Sequence, residues 1–252
     1  MQKIYYFIVA LSLIVLISGC TSTGTDGTYT GDQNQNQANN GQSAVQESVV
    51  PPQSQGTGLR YDLSGYLLPV KTLESQSVYK DFTITTQDSN GYFTQQQTII
   101  KRYLEGNKDA LNQPVINIFE GETPNQILVE KDVVTQNRIS VFTYDNNAIL
   151  TTQEQYPRYI QKNEDLLRNE SGACVLKEEI DNFDIGDANV PVQANPVGHY
   201  NSVLHFYCGT TDGTKIDRYY ADGWGQVLAI RQVPDGTTTY TVFDQNSYQE
   251  AN

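Results

Sequence analysis

The 252-residue sequence has few of the side chains on which metal centres, nucleophilic enzymes and nucleic-acid-binding proteins depend. It contains three cysteines, two histidines and one tryptophan. Lysine and arginine number 16 against 29 aspartates and glutamates, which gives a formal net charge of −13 at pH 7. Phosphate backbones are bound by clustered Lys and Arg, and here the basic residues are scattered without a stripe. The composition therefore argues against a nucleic-acid partner, and the charge favours solubility without indicating a ligand.

Signatures of catalysis are also missing. The sequence has no Gly-x-Ser-x-Gly elbow, no Gly-x-x-x-x-Gly-Lys-Ser/Thr loop and no His-Glu-x-x-His motif. His199 and His205 lie in strand-like sequence, where each is expected to be a hydrogen-bonded strand residue rather than a catalytic base. Carboxylate pairs suited to a glycosidase arise by chance among so many acids and carry no weight. We therefore expect no enzymatic activity, no metal and no cofactor.

Long apolar runs are absent except near the start of the chain. Lys3 precedes the apolar run Ile4–Ile17, which only Ser12 interrupts. As a helix this run would span about 21 Å, less than the roughly 30 Å hydrocarbon core of a bilayer. It is therefore typical of a secretory signal peptide rather than of a permanent membrane helix. The segment Ile17-Ser18-Gly19-Cys20 then resembles the lipobox of prokaryotic lipoproteins, which is an aliphatic residue, two small residues and an obligatory cysteine.

This resemblance implies that residues 1–19 are a signal peptide that is removed, and that the Cys20 thiol carries a diacylglyceryl group. The new amino terminus would be acylated too, with a fatty chain such as palmitate. Two or three acyl chains hold a protein stably on a membrane, and loss of Lys3 changes the net charge from −13 to −14. Thr21 follows the cysteine, where an Asp would favour the inner membrane, so the resemblance implies the outer membrane in a Gram-negative host. An ordinary secretory leader and an uncleaved anchor are the alternatives.

The composition divides the mature chain into a tether and one domain. Residues 20–58 are rich in Thr, Gly, Ser, Gln and Asn, include the run Asp32–Gln37 and end near Pro51-Pro52. Such a segment buries too little apolar surface to offset its ordering entropy, so we predict a disordered tether with a mean span of roughly 30 to 37 Å. Residues 59–252 have the length of a single domain that buries about 70% of its unfolded surface.

From residue 59 onward, short alternating runs are separated by turn-prone segments. Asn and Gly tolerate the positive φ that hairpin turns require, so each pair of runs predicts a β-hairpin. The four pairs are Val78–Thr86 and Tyr92–Leu104 around Asp88–Gly91, Arg138–Tyr144 and Ala148–Thr152 around Asp145–Asn147, His199–Tyr207 and Lys215–Tyr220 around Thr211–Gly213, and Gln226–Gln232 and Thr237–Phe243 around Pro234–Gly236. Consecutive hairpins without helical crossovers predict a mainly β fold, an antiparallel meander forming a sandwich, a curved open sheet or a barrel.

One or two short helices complete this prediction. Residues 157–168 could form a helix, because Pro157 suits a first helical position and Tyr159, Ile160, Leu166 and Leu167 could form an apolar stripe. Thr123-Pro124 could open a second helix, but β-branched residues follow it and leave that undecided.

With Cys20 lipidated, Cys174 and Cys208 remain, and outside the cytoplasm two remaining cysteines most often pair. A disulfide closing this loop would stabilise the fold by roughly 3 to 4 kcal/mol in the chain-entropy estimate. Two buried free thiols are the alternative. A metal site that added His199 and His205 to the two cysteines is disfavoured, because the histidines would lie about 20 Å apart along one strand.

Two further features admit a functional and a structural interpretation. The acidic stretch Glu178, Glu179, Asp181, Asp184 and Asp187 could suggest calcium, but its spacing fails the EF-hand pattern and a solvated acidic loop is favoured. Trp224 lies between two glycines after Tyr219-Tyr220-Ala221-Asp222. It could line a sugar site, but a corner residue that plugs the core beside a tight turn is favoured.

These patterns leave three hypotheses for function. The favoured one is a non-catalytic, lipid-anchored cell-envelope lipoprotein whose β-rich domain binds an envelope protein or organises the cell surface. The second is a carrier of apolar ligands, lipids or lipoproteins, in the cavity of a curved sheet. The third is a sugar-binding module that uses Trp224. A cavity lined by inward strand residues would support the carrier, and a packed core would eliminate it.

Overall fold

The computed structural model describes residues 59–74, 76–106, 108–109 and 111–251. They belong to one compact unit, Thr57–Asn252. The predicted signal peptide, Cys20 and the predicted tether lie outside the described residues. Within the described ranges, no helix is both long enough and apolar enough to cross a bilayer.

Strands dominate the domain, as the hairpin pattern predicts. The strands are β1 Arg60–Asp62, β2 Ser77–Gln87, β3 Phe93–Glu105, β4 Val115–Glu120, β5 Ile127–Val134, β6 Arg138–Tyr144, β7 Leu150–Pro157, β8 Tyr159–Gln161, β9 Asp165–Asn169, β10 Gly172–Asp184, β11 His199–Thr210, β12 Lys215–Ala221, β13 Gly225–Gln232, β14 Thr238–Phe243 and β15 Gln249–Ala251. The helices are α1 Leu63–Leu67 and α2 Val70–Leu73, with 3₁₀ segments at Ile185–Ala188, Val192–Ala194 and Gln245–Ser247.

Twelve strands form one antiparallel sheet in the order β7-β6-β5-β4-β3-β2-β14-β13-β12-β11-β10-β9, and β15 adds to β2. The strands at the two ends of this order, β7 and β9, lie against each other. The sheet is therefore nearly closed and barrel-like, which is the barrel alternative of the predicted meander. The short strands β1 and β8 pair separately.

All four predicted hairpins are confirmed, and an aspartate opens the turn of each. These are Asp88, Asp145, Asp212 and Asp235, and each side chain accepts a hydrogen bond from the backbone N–H two residues on, at 2.8 to 2.9 Å. Gly91, Gly213 and Gly236 then adopt φ near +87° to +89°, a conformation that costs glycine little. Local sequence therefore sets the turns of this sheet.

The helix predicted over 157–168 is wrong, because these residues end β7 and form β8 and β9. Pro157 is the last residue of β7, opposite Arg138, and β7 lies at the end of the strand order, where a missing N–H is tolerated. Asn163, with φ +68°, turns the chain between the two short strands. Thr123-Pro124 opens a turn with a cis peptide bond rather than a helix.

The helix α1 closes one end of the sheet, which we call the capped end. Asp62 caps the helix by accepting from the Ser64 N–H at 3.0 Å, and it also binds the Arg158 guanidinium at 2.9 Å. Leu63 and Leu68, both 0% exposed, pack into the apolar core beneath the sheet. The hairpin turns at 88–91, 145–148 and 233–237 lie at the other end, which we call the open end.

Candidate functional site

The inner face of the sheet changes from packed to water-accessible between its two ends. On β6, Ile139 and Val141 are 0% and 7% exposed, whereas Thr143, the next inward residue towards the open end, is half-buried. On β3, Tyr103 is 6% exposed and Gln95, on the same face near the open end, is exposed. The interior is therefore packed at the capped end and more accessible towards the hairpin turns. We call the accessible part the cup, its packed base the floor and its sides the wall.

Charged side chains line the cup where packed floor gives way to accessible wall. They form the inner charged layer: Lys101 on β3, Glu130 on β5, Glu154 on β7 and Arg218 on β12. Three of them lie two residues before a tyrosine that packs with the apolar core, and Glu130 lies two residues before the buried Asp132, so each shares that residue's face of the strand. These four strands run in the same direction. The charges of the other three members act on the pKa of Glu130, so the four side chains lie near one another. All four side chains are half-buried.

A tyrosine layer lies directly beneath, on the side of the capped end. Tyr103, Tyr156 and Tyr220 each follow a member of the charged layer by two residues, and all three pack with the apolar core. The Tyr156 hydroxyl donates to the Glu154 carboxylate. Burial raises the pKa of Tyr156 well above its usual range, so this phenol acts as a neutral hydrogen-bonding group at pH 7.

The carboxylates of β5 are held in an environment that disfavours their charge. Burial raises the pKa of Glu130; Lys101 and Arg218 oppose this, and Glu154 adds to it. Asp132 follows Glu130 by two residues on the same face, towards the capped end, and is 2% exposed. Burial, and then the charge of Glu130, raises the pKa of Asp132 well above its usual value. Two carboxyl groups on one strand face thus compete for ionisation in a medium of reduced dielectric.

The cations of the layer are attracted to the carboxylates without contacting them. Tyr220, Tyr156 and Glu154 raise the pKa of the Arg218 guanidinium although burial lowers it. Tyr156 and Glu154 belong to β7, at one end of the strand order, whereas Arg218 belongs to β12, so Arg218 acts across the interior. Among the described residues, no ion pair within 4.0 Å involves Arg218 or Lys101. The layer therefore presents opposite charges that are close but unpaired.

Deep side chains that stay partly accessible indicate a space beside them. Burial is the largest cause of the raised pKa of Glu130 and of Tyr156. Part of the surface of each residue nevertheless stays accessible to solvent. Protein surrounds them while one side faces the interior. Barrel mouths lined by a few convergent polar groups with perturbed pKa values are typical ligand sites.

Two clefts on the outer surface are less suited to a ligand, because a charged group in each already has a partner. One, of about 230 Å³, includes Asp217, which binds His205 at 2.7 Å. The other, of about 400 Å³, includes Asp62, which binds Arg158. We therefore take the inner charged layer as the candidate site.

Trp224 lies in the corner between β12 and β13. Its ring packs against Tyr200, Tyr248 and Phe243, with centroids 4.9 to 6.1 Å apart. Its carbonyl accepts a hydrogen bond at 2.7 Å from Lys80, which is 0% exposed. This is the packing of a corner residue; sugar binding by Trp224 stays a prediction.

Cys174 and Cys208 form a disulfide between directly opposed residues of β10 and β11. Both are 6% exposed and belong to the apolar core. The bond occupies both sulfurs, so they are not available as thiolate ligands for the disfavoured metal site. No cluster of three or more metal-binding side chains occurs in the described ranges.

The acidic stretch from Glu178 to Asp184 belongs to β10, so the solvated loop expected from the sequence is wrong for these residues. Glu178 accepts from His205 Nδ1 at 3.2 Å, and Asp217 binds Nε2 of the same ring. Glu179 accepts from the Tyr61 hydroxyl at 2.8 Å. The stretch is therefore an exposed part of a strand, and its side chains form hydrogen bonds to residues of neighbouring elements.

The sequence did not reveal the inner charged layer. A local signal exists: Lys101, Glu154 and Arg218 each precede a tyrosine by two residues within a strand. Charged residues are unusual at strand positions that alternate with the apolar core residues on the same face, and here they occur in three strands. Only the closure of the sheet shows that these strands face one interior.

Comparison with known proteins gives no family. No protein-family model matches the chain, and neither does any curated protein. Among solved structures, it is similar to a candidate lipoprotein from Parabacteroides distasonis ATCC 8503, at 10% identity and a TM-score of 0.30 over 69% of this chain and 95% of that one. It is also similar to a DUF1329 family protein from Desulfovibrio piger ATCC 29098, at 10% identity and a TM-score of 0.25 over 73% and 91% of the two chains. Similarities at this level bear on neither fold nor function.

Proposed function

We propose that this chain is a lipid-anchored lipoprotein of the cell envelope whose β-rich domain is a non-catalytic binding module. Its lipid on Cys20 holds it to the outer face of a membrane, which is the outer membrane if the host is Gram-negative. The tether of residues 20–58 gives the domain reach, and the cup receives a small ligand or a segment of an envelope partner.

The observation that carries the binding role is the inner charged layer in an accessible cup. Ions buried only for stability are usually paired, because an unpaired ion in a medium of low dielectric costs several kcal/mol. Arg218 and Glu130 instead face a partly accessible interior without a close ion pair. Such a layer favours binding of a polar molecule.

The carrier of apolar ligands is less well supported. The apolar part of the interior is packed by core side chains such as Ile116, Phe206 and Leu63, each 0% exposed. The accessible part carries the charged layer and polar wall residues such as Thr143 and Gln97. An acyl chain entering there would desolvate ions without replacing their hydration.

The anchor is tested by mass spectrometry of the amino-terminal peptide of the protein isolated from its own membranes. The expected mass is that of a peptide starting at Cys20 with a diacylglyceryl group. A Cys20→Ser variant should be released from the membrane fraction. An unmodified Cys20 peptide, or one with the leader attached, would refute the anchor.

The binding role is tested by native mass spectrometry of the detergent-purified, full-length protein. A non-covalent adduct is expected on the wild type and should be lost from Arg218→Gln. The exposed Lys177→Gln variant removes a charge from β10 and should keep it. An adduct that Arg218→Gln retains as well as Lys177→Gln does would refute binding in the cup. Turnover of a defined substrate by the wild type would refute a non-catalytic role.

A further inference from the structure

The charges inside the cup are present in both signs and in similar number. Lys101 and Arg218 provide the cations, and the nearby Glu130 and Glu154 provide the acidic groups. Lys101 lies 5.8 Å from the Phe82 ring centroid, a weak contact for its ammonium group. Glu154 accepts the Tyr156 hydroxyl. The layer thus retains both hydrogen-bond donors and hydrogen-bond acceptors for a ligand.

A deeper group adds independent evidence for a missing partner. Asp132 is 2% exposed, lies on the same face of β5 as Glu130, and its Oδ1 atom has no hydrogen-bond partner in the described residues. A buried carboxyl oxygen left without a hydrogen-bond partner costs free energy, so such atoms are rare in native proteins and often indicate an ion, a water or a ligand.

We propose that the cup binds a small zwitterion, a molecule with an ammonium and a carboxylate group separated by a short linker. This inference rests on the proposed binding function and assigns its ligand class. The carboxylate contacts Arg218 and Lys101, and the ammonium contacts Glu130 and Glu154, with Asp132 as the deeper acceptor.

Ligands of a single charge fit less well, for an electrostatic reason. An anion would satisfy Arg218 and Lys101 but would be repelled by Glu130 and Glu154, and a simple amine would meet the reverse conflict. An uncharged ligand would displace water from both sets of ions without providing a counter-charge. Only a ligand with both charges neutralises each set of groups.

The test is isothermal titration of the full-length, detergent-purified protein with ω-amino acids of increasing length. The probes are glycine, β-alanine, γ-aminobutyrate and ε-aminocaproate, and the matched controls are the n-alkylamine, the carboxylate and the hydroxyamide of each length. The ω-amino acid of one chain length should bind at least about tenfold more tightly than every control of the same length. This follows because each charged hydrogen bond contributes roughly 1.5 to 3 kcal/mol and 1.4 kcal/mol is a factor of ten.

Variants locate the binding. Arg218→Gln and Glu130→Gln should each weaken the best zwitterion by about tenfold or more, and Glu154→Gln is the second acidic variant if Glu130→Gln does not fold. Lys177→Gln and Glu122→Gln, which remove exposed charges elsewhere, should leave the affinity unchanged. Circular dichroism of each variant checks the fold.

The outcomes separate this inference from the proposed function. If a single-charge or neutral control binds as tightly as the zwitterion and loses affinity in Arg218→Gln, the zwitterion is refuted while the cup remains a binding site. If no probe binds, the zwitterion is refuted, and the adduct experiment alone decides the binding role. Zwitterion binding that Arg218→Gln and Glu130→Gln leave intact refutes the assigned site.

Discussion

At the scale of single residues, Lys80 shows how a lysine can be used in a core. Its side chain is 0% exposed, and Nζ donates to the carbonyls of Trp224 and Gln226 at 2.7 Å each. The rings of Phe243 and Phe82 lie 4.2 and 5.0 Å from Nζ. The side chain therefore holds the β12–β13 corner in place, and burial followed by the charge of Lys101 lowers its pKa well below the usual value.

Lys80 should make stability depend on alkaline pH. The unfolded side chain keeps its proton up to about pH 10.4, whereas the folded one releases it at lower pH, so raising the pH between these values favours the folded state. The unfolding free energy of the wild type should rise relative to Lys80→Met between about pH 7.5 and 9.5. Urea unfolding at both pH values measures this. Exposed Lys177→Met should track the wild type, and a constant difference between wild type and Lys80→Met would disprove the shift.

His205 should produce a dependence of opposite sign. Burial lowers its pKa, but the hydrogen bonds to Asp217 and Glu178 outweigh this, so the folded pKa is raised. A doubly protonated ring donates to both carboxylates, and a neutral ring to only one. The stabilisation is complete below the unfolded pKa of about 6.5 and is lost as the pH rises through the folded pKa.

Thermal unfolding across this interval should therefore show a stability loss in the wild type that His205→Gln lacks. The exposed His199→Gln variant is the matched control, because it removes the other histidine of β11. A profile of His205→Gln that follows the wild type would contradict the pairing with the two carboxylates.

At the scale of elements, the hairpins could be predicted from the sequence and the segment 157–168 could not. A hairpin turn is encoded within a few residues, as Asp212 and Gly213 illustrate. The apolar pairs of 157–168 fit a helical stripe as well as two short strands. Long-range contacts decide between these, since Arg158 binds Asp62 and β8 pairs with β1, about a hundred residues earlier in the chain.

The disulfide acts at this scale by joining β10 and β11. Its partners are separated by 34 residues, and a loop of that length corresponds to roughly 3 to 4 kcal/mol of chain entropy. Chemical unfolding of a Cys174→Ala/Cys208→Ala variant should show a loss of about that size. The reduced wild type is the control and should unfold with the variant. A loss below about 1 kcal/mol would show that strand pairing already imposes the constraint.

At the scale of the whole molecule, the site depends on closure of the sheet. Lys101, Glu130, Glu154 and Arg218 come from four strands that span more than a hundred residues of sequence. Each strand contributes one of these residues to the inner face, and only the register of the closed sheet brings them near one another. No local pattern determines that register, which is why the sequence indicates a barrel or sandwich without indicating the charged layer.

Cysteine accessibility on β6 tests the cup most directly. Val141 and Thr143 are consecutive inward residues on either side of the proposed boundary between floor and wall. Either can be replaced by the similarly sized cysteine in the full-length protein with its disulfide intact. With a charged methanethiosulfonate reagent, Thr143→Cys should react readily and Val141→Cys should stay protected until the protein unfolds. If both were protected, the interior would be packed at the level of the charged layer, and an open cup would be ruled out.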